Sequence, residues 1–480
     1  MTLLWFRQDL RIDDNSAVAA AIERGAPIVP VFIWAPQEEG NWQPGGATKW
    51  WLHHALADLG AQFAEIGLRL IIRDARENSS LETLLELAQQ TKADSVFWNR
   101  RHEPLLAKRD AEVKCGLEAA GISTGSRESS VLFAPETIAN KSGKPFKVFT
   151  PMWKHLQTLE MPAPVRVKSA AAKAPAKWPA SAQLGSLRLL PKIGWDSGIS
   201  EFWGTPSRNA ALKHLRKFIR SGAESYPELR DSPSDDGTTR LSPYLHLGQV
   251  GVREMWGMLA NASNRSNEFD TGIMRQIIWR EFAHHLLHHF PHIPQQPLRP
   301  EFSLFPWEED SAMLRRWQHG ETGYPIVDAG MRQLWQTGWM HNRVRMIVGS
   351  LLVKHLLQHW VEGARWFWDT LVDADLANNT LGWQWIGGCG ADAAPYFRIF
   401  NPIIQGEKFD PDGKFVSRYV PELKNVPAKC IHQPWKLGDL DLSGMGVVLG
   451  RDYPAPIIEH SAGRKRALVA FQKLKSSRQK

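Results

Sequence analysis

Residues 28–34 read IVPVFIW, a short apolar run with the length and composition of a buried strand. Similar runs lie at Leu3–Phe6, Leu68–Ile72 and Ser95–Trp98. The intervening stretches carry apolar residues at helical spacing, over about 47–65, 79–91 and 104–120. This alternation of strand and helix predicts an α/β domain built on a parallel, Rossmann-like sheet.

The turn after the first apolar run has no glycine-rich fingerprint. It reads Arg7-Gln8-Asp9-Leu10-Arg11, where an NAD-binding domain would carry GxGxxG. We therefore expect this domain to hold something other than NAD in the usual way.

The chain changes character twice after this domain. From about Pro162 to Pro191 it is rich in Pro, Ala, Ser and Lys, which predicts a linker laid across the surface. Beyond about Ser200, apolar residues recur on single helix faces, as from Ile273 to Phe290, and predict an all-α domain. The predicted division is an α/β domain at 1–125, a long linker at 126–200, the all-α domain at 201–450 and a basic tail at 451–480.

Composition narrows the class of protein. No apolar run approaches the roughly 20 residues of a membrane span. The three cysteines, Cys115, Cys389 and Cys430, are too few and too far apart for a disulfide framework or a metal centre. We expect a cytoplasmic monomer without membrane contact or metal.

The net charge of +8 favours a polyanionic partner. The 22 tryptophans stand beside only 6 tyrosines and offer stacking and oxidisable groups, although core packing is the simpler explanation for most of them.

Three segments place polar groups among apolar flanks. GTTRLSP at 237–243 puts hydroxyls and a cation where a helix begins, and such a start either binds a diphosphate or is capped by its own hydroxyls. DADLANNTLGWQW at 373–385 contains aspartates and amides that need partners if buried. GWMHNRVRM at 338–346 offers two arginines, one of which would pair with an aspartate.

These segments resemble those of photolyases and cryptochromes. The match runs in order from Leu3 to about Trp435, and it also includes RQDLRIDDN at 7–15, GTTRLSPYLHLG at 237–248, WREF at 279–282, TGYPIVDAGMRQL at 322–334 and APYFRIFNPIIQGEKFD at 394–410. The resemblance implies a light-driven FAD enzyme that splits cyclobutane pyrimidine dimers in DNA. The alternatives are a blue-light photoreceptor of the cryptochrome type, or a photolyase for another lesion or for single-stranded DNA. The short segment after Trp435 favours the enzyme, since signalling members often carry long C-terminal extensions.

The resemblance also implies where the FAD lies, in a U shape at the centre of the helical domain. Arg345 and Asp373 would flank the isoalloxazine ring. Asp375 would hydrogen-bond its pyrimidine edge, and Asn379 would lie opposite its redox-active ring nitrogen, as in repair enzymes that use fully reduced flavin. The diphosphate and ribityl side would be held by Tyr226, Thr238, Thr239, Arg240, Leu241 and Ser242.

An electron path and a DNA surface follow from the same resemblance. Trp383, Trp360 and Trp307 fall at the positions of a chain that carries electrons from the surface to oxidised flavin, with core filling as the alternative. Photolyases flip their target out of the DNA stack, and Trp279 and Trp385 would clamp the flipped dimer. The remaining implied DNA contacts are Arg230, Arg280, Arg343, Arg398 and Gln405.

Three residues bear on the lesion. Asn342 and Met346 occupy positions that hold histidines in enzymes repairing (6-4) photoproducts, so the cyclobutane dimer is favoured. Gln276 departs from the family pattern, because cyclobutane-dimer photolyases usually carry a glutamate at this position that hydrogen-bonds the dimer. We expect the glutamine to affect the efficiency of repair.

Two further sites are implied less directly. Asn99 and Glu103 resemble an antenna-binding stretch, which favours methenyltetrahydrofolate over a deazaflavin or no antenna. Four histidines form two pairs four residues apart, a spacing compatible with metal binding. No third ligand is evident, so we expect a solvated or DNA-facing helix edge at His284, His285, His288 and His289.

Overall fold

The computed structural model describes residues 1–262, 272–393, 395–396 and 398–477. Its strands are β1 Thr2–Phe6, β2 Ile28–Trp34, β3 Ile71–Asp74, β4 Ser95–Asn99 and β5 Ser123–Arg127. They pair in parallel in the order β3-β2-β1-β4-β5, and Leu3 lies opposite Val29 on one side and Val96 on the other. The predicted α/β domain with a parallel sheet is confirmed.

Three helices of this domain lie where the sequence predicted them, and the structure contains one more. They are α1 Ser16–Glu23, α2 Gly46–Glu65, α3 Ser80–Thr91 and α4 Pro104–Ala119. The sequence pattern did not predict α1 or the edge strand β5. In β5 only Gly125 is buried, so no apolar run marks it. The third strand begins at Ile71, three residues later than the apolar run that predicted it.

The segment predicted to be a linker contains a helix, α5 Phe149–Leu156, that buries Phe149, Met152 and Leu156. After it the chain makes only short 3₁₀ turns and follows the α/β domain. The Ile28 amide donates to the Lys173 carbonyl at 2.9 Å, and the Ala182 amide donates to the Ile72 carbonyl at 2.9 Å. These main-chain bonds hold the segment on the surface. The boundaries at residues 125, 200 and 450 stay predictions.

The second domain is helical, as predicted. A π-helical turn, Leu351–His355, follows α14 directly. The helices are α6 Ser197–Trp203, α7 Arg208–Ser221, α8 Tyr226–Leu229, α9 Ser242–His246, α10 Val252–Ala262, α11 Gly272–His289, α12 Ser311–His319, α13 Pro325–Thr337, α14 Asn342–Ser350, α15 Trp360–Thr370, α16 Leu376–Gly387, α17 Pro402–Phe409, α18 Lys414–Tyr419, α19 Ala428–Ile431, α20 Asp439–Gly444 and α21 His460–Ser477.

The predicted basic tail is ordered over its described residues. In α21, Ala467 and Leu474 are buried. Before the helix, the buried Tyr453 hydroxyl donates to Asp328 Oδ2 at 2.6 Å. Asp328 also accepts from the Thr322 amide at 2.7 Å, so its carboxylate ties the last segment to the start of α13. The sequence pattern predicted a tail because this segment is rich in basic residues. In the folded protein they occupy the solvent-facing positions of the helix.

The two domains share an interface centred on α2. The Trp51 indole donates to Gln249 Oε1 at 2.8 Å, and the Gly46 amide donates to Asp369 Oδ1 at 2.8 Å. The Thr48 hydroxyl donates to the Leu371 carbonyl at 3.2 Å. One large core continues across this interface from the sheet into the helical domain. Among the described residues, no helix is long and apolar enough to cross a membrane.

Candidate functional site

An arginine–aspartate pair joins α14 to the segment before α16. Both Asp373 carboxylate oxygens accept from Arg345 Nη2, at 2.9 and 3.0 Å, while Arg345 Nε donates to the Met340 carbonyl at 2.8 Å. The Val372 amide donates to the Gly338 carbonyl at 2.8 Å and so joins the two segments that carry the pair. The predicted pairing of one arginine with an aspartate is confirmed.

Asp375 begins α16 and is buried. One carboxylate oxygen caps the helix by accepting from the Asn378 amide at 2.8 Å, and the other lies 3.5 Å from His284 Nε2. Burial lowers the pKa of His284 to about 4, so its imidazole is neutral near pH 7 and the charge resides on Asp375. Asn379, one turn into the helix, is anchored by its amide nitrogen on the Ala364 carbonyl at 3.0 Å.

The 237–242 segment precedes the short helix α9. The N-cap residue of α9 is Leu241, and no side chain forms a capping hydrogen bond there. The alternative that the threonine and serine hydroxyls cap the helix therefore does not apply. Arg240 has a positive φ of 51°, and its guanidinium lies over Phe202 at 4.9 Å. Its Nε is buried without a partner. An unpaired buried donor is costly, and a diphosphate would satisfy it. Thus the residues present fit an FAD.

The three tryptophans of the predicted electron path lie between the core and the surface. Trp383 and Trp360 are buried, whereas Trp307 is partly exposed. His359 contacts both Trp360 and Trp307, with ring centroids 5.6 and 5.1 Å apart. One turn after Trp360, a side chain at Gly363 would overlap the Trp383 ring. Trp383 also contacts the buried Trp317 at 6.1 Å, a neighbour that no sequence motif indicated.

Helix α14 also carries predicted DNA and lesion contacts. Asn342 is exposed at its start and Met346 is half-buried one turn later. Arg343 Nη2 lies 2.7 Å from Asp231 Oδ2, and its guanidinium covers the Phe409 ring at 4.4 Å. Of the other predicted DNA contacts, Arg398 is exposed, and those that are half-buried are Arg230, Trp385 and Gln405.

Trp279 stacks on Phe149, with ring centroids 3.7 Å apart and planes 3° from parallel. Sequence reasoning missed Phe149 because it lies in the predicted linker. One turn before Trp279, the half-buried Gln276 makes, among the residues that the structure describes, a single long contact of 3.4 Å from Nε2 to the Gly272 carbonyl. Its amide is therefore available to a ligand.

Arg280 on α11 donates to the Ser130 carbonyl at 2.8 Å, and its side chain is 14% exposed, so it connects the helical domain to the segment after β5. Its contact with DNA stays a prediction. Another prediction on α11 is wrong. His284 and His285 are buried rather than on a solvated edge, because they face the domain interface; His285 Nε2 accepts from the Phe146 amide at 3.0 Å. Within the described ranges, no cluster of side chains could hold a metal ion.

Asn99 is fully engaged by the protein. Its amide nitrogen donates to Asp9 Oδ2 at 2.6 Å and Asn15 Oδ1 at 2.7 Å, and its oxygen accepts from the Ala17 amide at 3.1 Å. Glu103 forms a buried ion pair with Arg101 at 2.7 Å, which holds the pKa of Glu103 well below its usual range although burial alone would raise it. These atoms leave little for a pterin to bind, so the antenna assignment stays a prediction.

A buried polar cavity nevertheless lies beside these residues, between the domains. It opens where the strand order reverses at β1 and β4, the usual ligand position in such sheets. Both ring nitrogens of His246, which lines it, are buried without a partner. The lining also includes Asp9, Asn99, Glu103, His284 and Asp375.

A second aromatic feature escaped the sequence analysis. Trp335 on α13 is 56% exposed and lies parallel to Trp366 on α15, with ring centroids 6.0 Å apart and planes 7° from parallel. No motif marks either residue, and among 22 tryptophans a surface pair is not distinguishable from core residues by spacing.

Comparison with known proteins extends these observations to the whole chain. Residues 2–171 match the family model described as DNA photolyase, and residues 273–473 match the FAD binding domain of DNA photolyase. A deoxyribodipyrimidine photo-lyase of Agrobacterium fabrum is 43% identical, covering 99% of this chain and 98% of the relative. Cryptochrome-1 of Arabidopsis thaliana is 35% identical, covering 98% of this chain and 70% of the relative.

The solved structures give the same result. A bacterial class III photolyase from Agrobacterium tumefaciens superposes with a TM-score of 0.94 at 43% identity, covering 99% of this chain and 98% of the other. A Synechocystis cryptochrome superposes with a TM-score of 0.88 at 27% identity, covering 97% of this chain and 99% of the other. The chain therefore belongs to the photolyase/cryptochrome family and is a DNA photolyase, a DNA repair enzyme with an FAD-binding domain.

Proposed function

We propose that this photolyase repairs cyclobutane pyrimidine dimers in double-stranded DNA. The arrangement on α14 carries the proposal. Within five positions this helix carries Arg345, which pairs with Asp373, and three residues that would meet the substrate: Asn342 and Met346 would face the lesion and Arg343 the DNA backbone. The positions of Asn342 and Met346 lack the histidines that (6-4) repair enzymes of the family carry there, and both lie within one turn of Arg345, which with Asp373 would flank the flavin.

The protein's own residues would position both reactants. Arg345 and Asp373 would hold the isoalloxazine ring, Asp375 would accept from its pyrimidine edge, and Asn379 would lie opposite its redox-active nitrogen. When bound, reduced and photoexcited FAD supplies the electron that opens the dimer. Trp279 and Trp385 would stack on the flipped bases, and such stacking is worth roughly 1–3 kcal/mol per base.

The direct test is repair of an oligonucleotide that contains one cyclobutane dimer, under light and reductant, with a (6-4) oligonucleotide and a dimer in single-stranded DNA as parallel substrates. We expect loss of the dimer in the duplex and no change in the (6-4) product. Absence of repair with a bound, photoreducible flavin would instead favour a photoreceptor of the cryptochrome type.

Trp385→Ala should lower the preference for damaged over undamaged duplex, whereas an unchanged preference would remove Trp385 from the lesion pocket.

We further propose a methenyltetrahydrofolate antenna. The saturated Asn99 amide gives the predicted site near β4 little support. The parallel indoles of the exposed Trp335 and the half-buried Trp366 support a different place for a planar chromophore, since aromatic rings favour stacked contacts. Reconstitution with the folate should add near-ultraviolet absorbance that Trp335→Ala abolishes and Asn99→Ser retains. The opposite pattern would restore the site at Asn99 and Glu103.

A further inference from the structure

One carboxylate lies between two arginines of the proposed DNA surface. Asp231 follows α8, and its Oδ2 is 2.7 Å from Arg343 Nη2, while its Oδ1 is 4.0 Å from Arg230 Nε. The carboxylate is 37% exposed and the Arg343 side chain 20% exposed. The two guanidinium groups that a DNA backbone would approach therefore share one internal anion.

Folding stability does not explain this placement. Arg343 is already held by the Phe409 ring at 4.4 Å and by a contact of 3.8 Å from Nη1 to Met346 Sδ. A partly exposed ion pair contributes little to stability, because water screens it and two side chains lose freedom in forming it. A carboxylate is an unfavourable neighbour for an arriving phosphate, since the two anions repel each other.

We propose that Asp231 is an internal competitor for DNA phosphate. It occupies Arg343 in the free enzyme and must be displaced or outweighed when the DNA backbone binds, so it limits affinity for any duplex, damaged or not. The inference rests on the proposed DNA-binding function. It adds a residue that sets how tightly the enzyme holds DNA between encounters with lesions.

Asp231→Asn tests the proposal, since it removes the charge and keeps the side-chain shape. Because each phosphate contact releases about one counterion, we expect roughly three- to tenfold tighter binding of undamaged duplex near 0.1 M salt. We also expect a dependence on salt that is steeper by about one ion. Glu112→Gln on α4 is the matched control: it makes the same change in net charge at an exposed carboxylate paired with Lys108, and should leave affinity nearly unchanged.

The contrary model, in which Asp231 merely braces Arg343, predicts the opposite sign. Asp231→Asn would then weaken binding and flatten the salt dependence, and the proposal would be wrong. Asp231→Glu, which retains the charge, should behave as wild type. In an Arg343→Ala background most of the gain from Asp231→Asn should disappear, and a gain of full size there would also overturn the proposal.

Failure of the wider function gives a different pattern. If wild type neither binds nor repairs a dimer-containing duplex, the proposed function fails. If wild type repairs the dimer but Asp231→Asn does not bind undamaged duplex more tightly, only the role of Asp231 fails. A thermal melt of each variant confirms that the affinities compare folded proteins.

Discussion

Helix α14 shows how closely single residues of different function are placed. Arg343 and Arg345 are two positions apart, yet one pairs with Asp231 at the surface and the other with Asp373 inside. Substitution of either arginine therefore tests a separate step. The sequence predicted the inner pair, because two charges among apolar residues need each other, but the outer pair depends on a loop more than a hundred residues away along the chain.

Gln276 is the residue at which repair efficiency can be tested. The electron-rich dimer collects negative charge on its carbonyl oxygens, and donors aimed there stabilise it while the ring splits. A glutamine amide can donate a hydrogen bond, whereas a protonated glutamate can also transfer a proton. Gln276→Glu should raise the number of dimers repaired per absorbed photon and change binding by only about 1 kcal/mol.

The measurement uses fully reduced flavin and saturating substrate. Gln276→Met is the matched control, since it keeps the length of the side chain without a hydrogen bond and should lower the yield. An equal or lower yield for the glutamate variant would show that glutamine is adapted to this pocket or that the lesion is another one.

A substitution at Trp360 distinguishes photoreduction of the flavin from repair of the dimer. Trp360 is buried and stacks on His359, so if it lies on the electron path, Trp360→Phe should slow photoreduction of oxidised flavin by an external thiol. Repair by chemically reduced flavin should stay nearly unchanged, because this residue does not touch the lesion. Trp435→Phe, at an indole that contacts Tyr324 instead, should affect neither rate. Joint loss of both activities in Trp360→Phe would refute the electron path.

At the scale of elements, α5 has a role beyond connecting the domains. Phe149 is 1% exposed, stacks on Trp279 and meets Phe282 edge-on at 5.9 Å. A proline-rich stretch predicts a surface path, and the path after α5 is indeed on the surface. The helix α5 itself lies before the proline-rich stretch, and it packs behind Trp279, the residue that we propose clamps the lesion. This contact is made only in the folded molecule.

Phe149→Ala should lower both stability and lesion preference. Removing a buried phenylalanine costs about 3–5 kcal/mol of unfolding free energy, and the freed Trp279 should clamp a dimer less well. Urea unfolding and competition between damaged and undamaged duplex measure the two effects. Phe63→Ala, equally buried against Phe6 in the α/β domain, should lose similar stability without losing preference. A retained preference in Phe149→Ala would mean that Trp279 needs no support.

At the scale of the whole molecule, Glu281 couples the domains to pH. This buried carboxyl of α11 accepts from the Leu132 amide at 2.8 Å and the Phe133 amide at 3.3 Å. Burial raises its pKa to about 7 despite Arg280 nearby. Between about pH 4.5 and 7 the folded state therefore binds more protons than the unfolded state, so the free energy of unfolding falls as pH rises through this window.

Glu281→Gln should remove this component. The difference in unfolding free energy between variant and wild type should grow in favour of the variant from pH 4.5 to 7, by about 3 kcal/mol at most, and then stay constant. Urea unfolding at pH 5, 6, 7 and 8 measures it. Because burial raises the pKa of Glu39 to about 7 as well, only the difference between the two proteins is diagnostic. Parallel curves would show that Glu281 does not titrate in this window.

The sequence predicted the architecture of the molecule better than its interface. Strand runs such as Ile28–Trp34 and helix faces such as that of α11 follow local periodicity, which any window of sequence displays. The roles of Asn99 and Arg280 were inferred from the family resemblance, and that of His284 from the lack of a third metal ligand. Their partners Asp9, Ser130 and Asp375 lie far along the chain, so no window of sequence displays these contacts. Asp9 and Asp375 lie in the same domain as Asn99 and His284, respectively, whereas the contact of Arg280 with Ser130 joins α11 to the segment after β5.

The docking of α2 also has a consequence in time. Its contacts Gly46–Asp369 and Thr48–Leu371 join residues 323 positions apart. A ribosome adds roughly 5–20 residues per second, so about 15–60 s pass between synthesis of α2 and synthesis of its partners. Trp51 contacts Gln249 of the helical domain, 198 positions later, so until that residue is made the indole of Trp51, buried in the finished protein, has no helical domain to cover it. The nascent chain thus carries an uncovered apolar surface during part of its translation, when chaperones would act on it.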